Sequence, residues 1–309
     1  MRRCGAGVRR EPGRERVVQK AKPWQTLAPA DLEREYSPRL LVADLQSYLD
    51  RYAALSAAAR AVLRVERDVA YGPSADERLD FFPAATGPAP IHVFIHGGYW
   101  RLLSKDESAF AAPCFVRHGA CFVALNYALA PGANLDEIVR QCRAAIAWLY
   151  RNAPEIGGDP ERIFVSGTSA GGHLVGMLLA DGWQAGFGLP RDAVKGGCAV
   201  SGIFDLEPLL ECTINETLRL DTAMARRNSP LYLAPRDGAD LVVAWGEIET
   251  REWKRQNEEY ALGWKGCRMA EIPGRNHYDV ILDLNDAGTR LGRLALAQMS
   301  LIQTEEEGS

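Results

Sequence analysis

The sequence has no long hydrophobic run, no large excess of charge and no internal repeat. No stretch of about eighteen apolar residues occurs, so no membrane-spanning helix is predicted. The formal net charge is −4 over 309 residues, which gives no reason to expect a nucleic acid or a membrane as partner. The expected partner is a small-molecule substrate, and a homodimer is an open possibility.

The sequence also lacks a cysteine motif. Its seven cysteines are odd in number and scattered, and none is spaced as Cys-x-x-Cys. This argues against a disulfide framework or a zinc site and favours reduced thiols in a cytoplasmic protein. The apolar surroundings of four of them predict a packing role, namely Cys114, Cys121, Cys142 and Cys198. We expect no metal and no cofactor.

Both ends of the chain are polar. Residues 1–24 are rich in arginine and lysine, and no apolar segment follows them. This composition predicts a basic disordered tail and not a secretory signal. Residues 304–309 are predicted to form a second disordered tail. We expect residues 25–303 to form a single domain.

Between the tails, short apolar β-prone runs alternate with amphipathic helical runs, which predicts an α/β fold with a mostly parallel central sheet flanked by helices. Residues 30–64 predict an N-terminal helical cap with a break near Ser37-Pro38, and the next two strands, 64–72 and 77–83, predict a hairpin. Segment 203–235 is too long for a simple connection and is predicted to be a lid or pocket wall. The remaining predicted strands are 91–95, 120–127, 162–167, 196–202, 240–246 and 267–272, and the helices are 135–153, 170–182, 251–264 and 286–300.

One motif joins a predicted strand to a predicted helix. Residues 167–171 read Gly-Thr-Ser-Ala-Gly, a G-x-S-x-G pattern. The pattern alone is weak, but between an apolar strand and an alanine- and leucine-rich helix it is typical of a nucleophile elbow. The sequence therefore predicts Ser169 as a catalytic nucleophile. The alternative is a serine that only caps a helix.

A serine nucleophile needs a base and an acid, which in this setting follow it in the order acid, histidine. His277 lies in a loop after the last predicted strand and is the expected base, whereas His173 lies inside the helix after Ser169 and is expected to pack. The acid should follow the strand 240–246, where three glutamates are available, Glu247, Glu249 and Glu252. We favour Glu249, with Glu247 next.

The stretch "IHVFIHGGYW", residues 91–100, leaves a strand through a histidine and two glycines. Acyl transfer creates an oxyanion that needs backbone N–H donors placed in advance. We predict these donors around Gly97 and Gly98, together with the N–H of Ala170, while His96 holds the loop. Tyr99 and Trp100 are candidates for substrate binding, although packing under a lid is an equal alternative.

Several motifs together resemble the kynurenine formamidases (arylformamidases) of the α/β-hydrolase fold. In chain order they are "LEREYSPR", "HGGYW", "GTSAGGHL", "SGIFDLEPL", "GEIETREWKRQNEEY" and "NHYDV". The resemblance implies Ser169 as nucleophile, Glu249 as acid and His277 as base, with Gly97, Gly98 and Ala170 at the oxyanion. It also implies hydrolysis of N-formylkynurenine to kynurenine and formate without a metal.

This chain departs from the family pattern at two positions. The acid is a glutamate where many members have aspartate, and Thr168 stands where histidine is frequent. Two other functions compete with the arylformamidase reading: a carboxylesterase for small acyl groups of the hormone-sensitive-lipase type, and a non-catalytic small-molecule receptor on the same fold. Receptors tend to lose the base, whereas this chain keeps all three candidate residues.

Overall fold

The computed structural model describes residues 22–303, and within this range eight strands form one sheet. The strands are β1 (Glu66–Ala70), β2 (Arg78–Phe82), β3 (Ala89–Ile95), β4 (Cys121–Leu125), β5 (Gly158–Thr168), β6 (Val194–Val200), β7 (Asp240–Ile248) and β8 (Arg268–Asn276). The α-helices of this range are α1 (Pro29–Glu35), α2 (Leu45–Val62), α3 (Ala112–Arg117), α4 (Leu135–Asn152), α5 (Ala170–Leu179), α6 (Asn215–Leu218), α7 (Thr222–Arg227), α8 (Arg251–Leu262) and α9 (Arg290–Gln298).

The strands lie in the order β1-β2-β4-β3-β5-β6-β7-β8. β1 and β2 pair antiparallel, as do β2 and β4, while all other neighbours are parallel. The predicted mostly parallel sheet is therefore confirmed. Because β3 and β5 to β8 run parallel, their carboxyl ends lie at one edge of the sheet, where ligands bind in folds of this class.

Helices cover both faces of the sheet, and β3 shows how. Ile91, Val93 and Ile95 belong to one hydrophobic core with residues of α4, α5 and α8, whereas Phe94 belongs to a second core with residues of α2, α3 and α9. All seven residues of β3 are buried. A strand buried on both faces reads as a continuous apolar run, which is the pattern that predicted it.

The predicted elements agree with the structure, with local differences. The helical cap breaks where expected: α1 ends at Glu35 and a 3-10 turn spans Pro38–Leu41. The Asp44 carboxylate then caps α2 by accepting from Ser47 N at 3.3 Å. The sequence did not predict α3, a six-residue helix with a proline in its first turn. It is too short to show a helical period.

The predicted tails fall almost entirely outside the described residues. Residues 1–21 and 304–309 are not described, and of the proposed basic tail only residues 22–24 are. Trp24 is buried in the first core, so the folded part of the chain includes residues before the predicted boundary at 25. Among residues 22–303, no helix is both long enough and apolar enough to cross a membrane.

The start of α5 touches the end of β3. A Cβ atom added at Gly171 would lie 2.0 Å from the carbonyl oxygen of Ile95 and 2.8 Å from that of His96. One added at Gly167 would lie 2.5 Å from the carbonyl carbon of Gly171. Real Cβ atoms do not approach other atoms this closely, so both glycines of the motif are required by close backbone contact.

We predict that Gly171→Ala lowers the free energy of unfolding by about 3 kcal/mol or more, since the methyl group would push α5 away from β3. Gly186→Ala is the matched control, because nothing lies within 4 Å of a Cβ there. It should change stability by less than about 1 kcal/mol. Urea denaturation of both variants measures the difference, and equal stabilities would refute the proposed contact.

Candidate active site

Ser169 occupies the turn between β5 and α5. Its backbone has φ 56° and ψ −117°, a region that residues with a side chain rarely adopt and that recurs at functional sites. The turn is held by two hydrogen bonds, from Ser169 N to Val200 O at 2.9 Å and from His173 N to Ser169 O at 3.0 Å. This is the backbone geometry of a nucleophile elbow, as the G-x-S-x-G motif predicted.

A cavity of about 430 Å³ opens at this edge of the sheet, and both Ser169 and His277 line it. Its volume is in the range of small-molecule sites. One wall comes from the N-terminal helical region and another from segment 203–235. The lining residues of these two walls are Glu33, Tyr36, Ser37, Pro38, Arg39, Leu45, Leu49, Tyr52, Cys212, Thr213, Ile214, Glu216 and Thr217.

His277 and Glu249 form a buried pair. His277 Nδ1 lies 3.0 Å from Glu249 Oε2, and their side chains are only 4% and 1% exposed. A carboxylate oxygen can only accept, so the contact places a proton on Nδ1 and leaves Nε2 as the basic nitrogen. The structure thus brings two of the three predicted catalytic residues into direct contact.

Ser169 and His277 share the cavity without a direct bond. The hydrogen bonds within residues 22–303 do not include one between the Ser169 hydroxyl and the His277 imidazole. In enzymes without substrate this bond is often long and forms when the reactants bind. The two side chains therefore lie at one site, but the hydrogen bond between the Ser169 hydroxyl and the imidazole has not formed.

The other two candidate acids are engaged elsewhere. Glu247 is exposed and accepts from Gly274 N at 2.7 Å. Glu252 is buried, accepts from Tyr36 Oη at 3.0 Å and pairs with Arg255 at 2.8 Å. Neither contacts His277. Sequence spacing left three possible partners, and the fold selects Glu249.

The glycine loop after β3 lies against the Ser169 turn. A Cβ at Gly97 would lie 2.8 Å from Thr168 O, and one at Gly98, which has φ 96°, would lie 2.3 Å from Leu102 O. Both glycines line the cavity. Ala170 is the first residue of α5, so its N–H has no partner within the helix. These positions suit an oxyanion hole.

The two aromatic residues of the loop have different surroundings. Tyr99 lines the cavity, and its hydroxyl donates to Tyr36 O. Trp100 is 0% exposed, does not line the cavity, and packs edge-to-face on His173 at 4.9 Å. The prediction that Trp100 contacts substrate is therefore corrected to a packing role. Both residues have positive φ, 52° and 56°. This conformation was not predictable from the sequence, so neither were the directions of the two side chains.

Two other histidines near the site are structural. His96 stacks on Tyr127 at 4.1 Å, and its Nδ1 contacts Gly97 O at 2.9 Å, so it holds the glycine loop. His173 Nε2 contacts Asn228 O at 2.6 Å. Burial lowers the pKa of both imidazoles to about 4. Neither imidazole lines the cavity, so neither competes with His277 as the base.

Three cavity residues were not among the predicted site residues. Tyr36, Tyr278 and Cys212 come from segments far apart in the chain and meet only in the fold. Burial raises the pKa of the Cys212 thiol to about 12, so it stays protonated and is not a rival nucleophile. In the described range, no group of three or more His, Cys, Asp or Glu residues is placed to hold a metal ion.

Comparison with known proteins agrees with this geometry. A family model described as BD-FAE matches residues 79–188. Carboxylesterase NlhH of Mycobacterium tuberculosis is 36% identical over 187 residues, covering 59% of this chain and 54% of that protein. The crystal structure of a thioesterase candidate from Silicibacter sp. TM1040 superimposes with a TM-score of 0.77 at 26% identity, covering 89% of this chain and 99% of that one.

The family follows from a longer match. Kynurenine formamidase of Salmo salar is 32% identical over 294 residues, covering 89% of this chain and 98% of that protein. The chain therefore belongs to the kynurenine formamidase family and has the α/β-hydrolase fold.

Proposed function

We propose that this protein is a serine hydrolase that converts N-formylkynurenine to kynurenine and formate. The observation that carries the proposal is the buried contact between Glu249 and His277 at the cavity that Ser169 also lines. A nucleophile, a base and an acid that orients the base are the parts that acyl transfer from a formamide requires. Family membership supplies the substrate.

The first step forms a formyl-enzyme. His277 Nε2 takes the proton of the Ser169 hydroxyl while the serine oxygen attacks the formyl carbon. The N–H groups around Gly97 and Gly98 and that of Ala170 stabilise the oxyanion. Glu249 stabilises the imidazolium that forms. The imidazolium then protonates the nitrogen of the arylamine, the C–N bond breaks, and kynurenine leaves.

The second step releases formate. A water molecule enters where the arylamine left, and His277 Nε2 takes one of its protons as the oxygen attacks the formyl ester. The same N–H groups stabilise the second oxyanion. Collapse of this intermediate returns the proton to Ser169 and liberates formate, which restores the free enzyme.

The walls of the cavity fit a charged aromatic substrate. Tyr36, Tyr99 and Tyr278 offer ring surfaces of the kind that bind flat groups. Arg39 and Arg101 also line the cavity, and neither has an acidic partner among residues 22–303. A guanidinium suits a carboxylate such as that of the amino-acid end of N-formylkynurenine. These residues support a substrate with an aryl ring and a carboxylate.

A carboxylesterase is the second candidate, because the chain is also similar to carboxylesterase NlhH over 59% of its length. Serine, base, acid and oxyanion donors serve ester and formamide hydrolysis alike, so the catalytic residues do not separate the two reactions. The cavity wall favours the formamide substrate, because a neutral small-acyl ester has no carboxylate to bind Arg39 or Arg101.

We also propose a cytoplasmic location and a homodimer. The location is supported by the cysteines of the described range, of which six are free and five of these buried. Free thiols fit a reducing compartment. Besides a second copy of the chain, the proposed partner is the small-molecule substrate.

Ser169→Ala should lower kcat/KM for N-formylkynurenine by about 10⁴-fold or more, because no covalent intermediate can form. Steady-state kinetics measures the loss, and thermal unfolding checks that the variant is folded. Ser300→Ala is the control, because Ser300 lies on the exposed surface. His173→Asn would not serve, since His173 is buried and packs beneath the loop. Near-normal turnover by a folded Ser169→Ala variant would refute the proposed nucleophile.

The substrate is tested by comparing N-formylkynurenine with N-formylaniline and p-nitrophenyl acetate. We expect kcat/KM for N-formylkynurenine to exceed that for N-formylaniline by about tenfold or more, because only the former has a carboxylate for Arg39 or Arg101. A kcat/KM that is highest for the acetate ester would instead favour the carboxylesterase. Ser169→Ala should abolish all three reactions, which shows that one site performs them.

A further inference from the structure

Ser201 is a buried serine behind the acid of the proposed triad. It follows β6 directly, it is 0% exposed, and its hydroxyl donates to Glu249 Oε1. The same oxygen accepts from Gly246 N at 2.9 Å. The other carboxylate oxygen, Oε2, lies 3.0 Å from His277 Nδ1. One oxygen of Glu249 is thus held by two donors, and the other faces the base.

The backbone of Ser201 is held in an unusual conformation. Its φ is 47°, a value that residues with a side chain rarely adopt. Two hydrogen bonds hold its main chain there, one from Ser201 N to Ala244 O at 2.7 Å and one from the Trp253 indole Nε1 to Ser201 O at 2.6 Å. Strain of this kind persists only where the surroundings enforce it, and it recurs at functional sites.

Trp253 links this serine to the base. Its indole N–H donates to Ser201 O, and its ring packs edge-to-face on the His277 imidazole at 4.8 Å. The serine, the acid and the base therefore share one buried set of contacts: Ser201 holds Glu249, Glu249 bonds His277, and Trp253 touches both ends. A shift of any one side chain would be transmitted to the imidazole.

The acid is a glutamate, and its longer side chain explains why a second contact is needed to hold the carboxylate. A glutamate has one more rotatable bond than an aspartate, so more orientations of its carboxylate must be excluded to keep one oxygen on the imidazole. We propose that Ser201 is a positioning residue for catalysis: its hydroxyl, with Gly246 N, fixes the Glu249 carboxylate so that Oε2 stays on His277 Nδ1. This inference rests on the proposed Ser-His-Glu mechanism.

The test uses two variants that remove the hydroxyl but differ in backbone strain. Ser201→Ala keeps a Cβ at positive φ, whereas Ser201→Gly relieves that strain. If the hydroxyl is what matters, both variants lose roughly 10- to 100-fold in kcat on N-formylkynurenine, with KM little changed. Their melting temperatures should differ, with the glycine variant the more stable of the two at this position.

Ser166→Ala is the matched control. Ser166 is another fully buried serine whose hydroxyl contacts a buried polar side chain, at 2.7 Å from His92 Nε2. His92 lies in β3 and has no part in the proposed mechanism. This variant should lose stability while kcat stays within about twofold of the parent enzyme. It separates the loss of a buried serine hydroxyl in general from the loss of the contact with Glu249.

A second readout needs no substrate. Proton NMR of the parent protein should show a far-downfield signal from the His277 Nδ1 proton, absent in His277→Ala, and this signal should broaden or disappear in both Ser201 variants. Unchanged kcat with an unchanged signal would overturn the proposal. So would full activity in Ser201→Gly with loss only in Ser201→Ala, because the enzyme would then work without the Ser201 hydroxyl. If Ser169→Ala still turned over substrate, the proposed function would fail while the NMR result on Ser201 stood.

Discussion

The active site depends on a close contact between two backbones, the first turn of α5 and the carboxyl end of β3. Gly171 leaves no room for a side chain between itself and Ile95 O, and Gly97 leaves almost none between itself and Thr168 O. This contact brings the turn that carries Ser169 against the loop that supplies the oxyanion donors. Without it, the nucleophile and the oxyanion hole would belong to separate parts of the surface.

The acid and base reach the same place through the sheet. Ser201 follows β6, Glu249 lies just after the end of β7, and His277 directly follows β8. Since these strands are parallel neighbours, their carboxyl ends deliver residues that are far apart in sequence to one edge. The hydrogen bonds from Ser201 to Glu249 and from His277 to Glu249 are thus a consequence of strand order. Because they are buried, each is stronger than it would be in water.

Much of this could be predicted from the sequence because the signals are local. The strand-turn-helix setting identified Ser169, and the alternation of apolar runs gave the sheet. Other features depend on contacts between distant segments. Three glutamates fit the spacing, and only the fold pairs Glu249 with His277. Substrate binding and packing were equal alternatives for Tyr99 and Trp100, and only the fold separates them: Tyr99 lines the cavity and Trp100 is fully buried. Ser201 lies in the motif "SGIFDLEPL", but only the fold shows its contact with the acid.

The central claim is that Ser169 is activated as a nucleophile by the His277–Glu249 pair. Covalent labelling with a fluorophosphonate, followed by peptide mapping with mass spectrometry, tests it most directly, since the reagent reacts with activated serines. The account predicts a single adduct on Ser169, formed at a rate that falls sharply when His277 is replaced by alanine. Labelling at another residue, or labelling of Ser169 at an unchanged rate without His277, would contradict it.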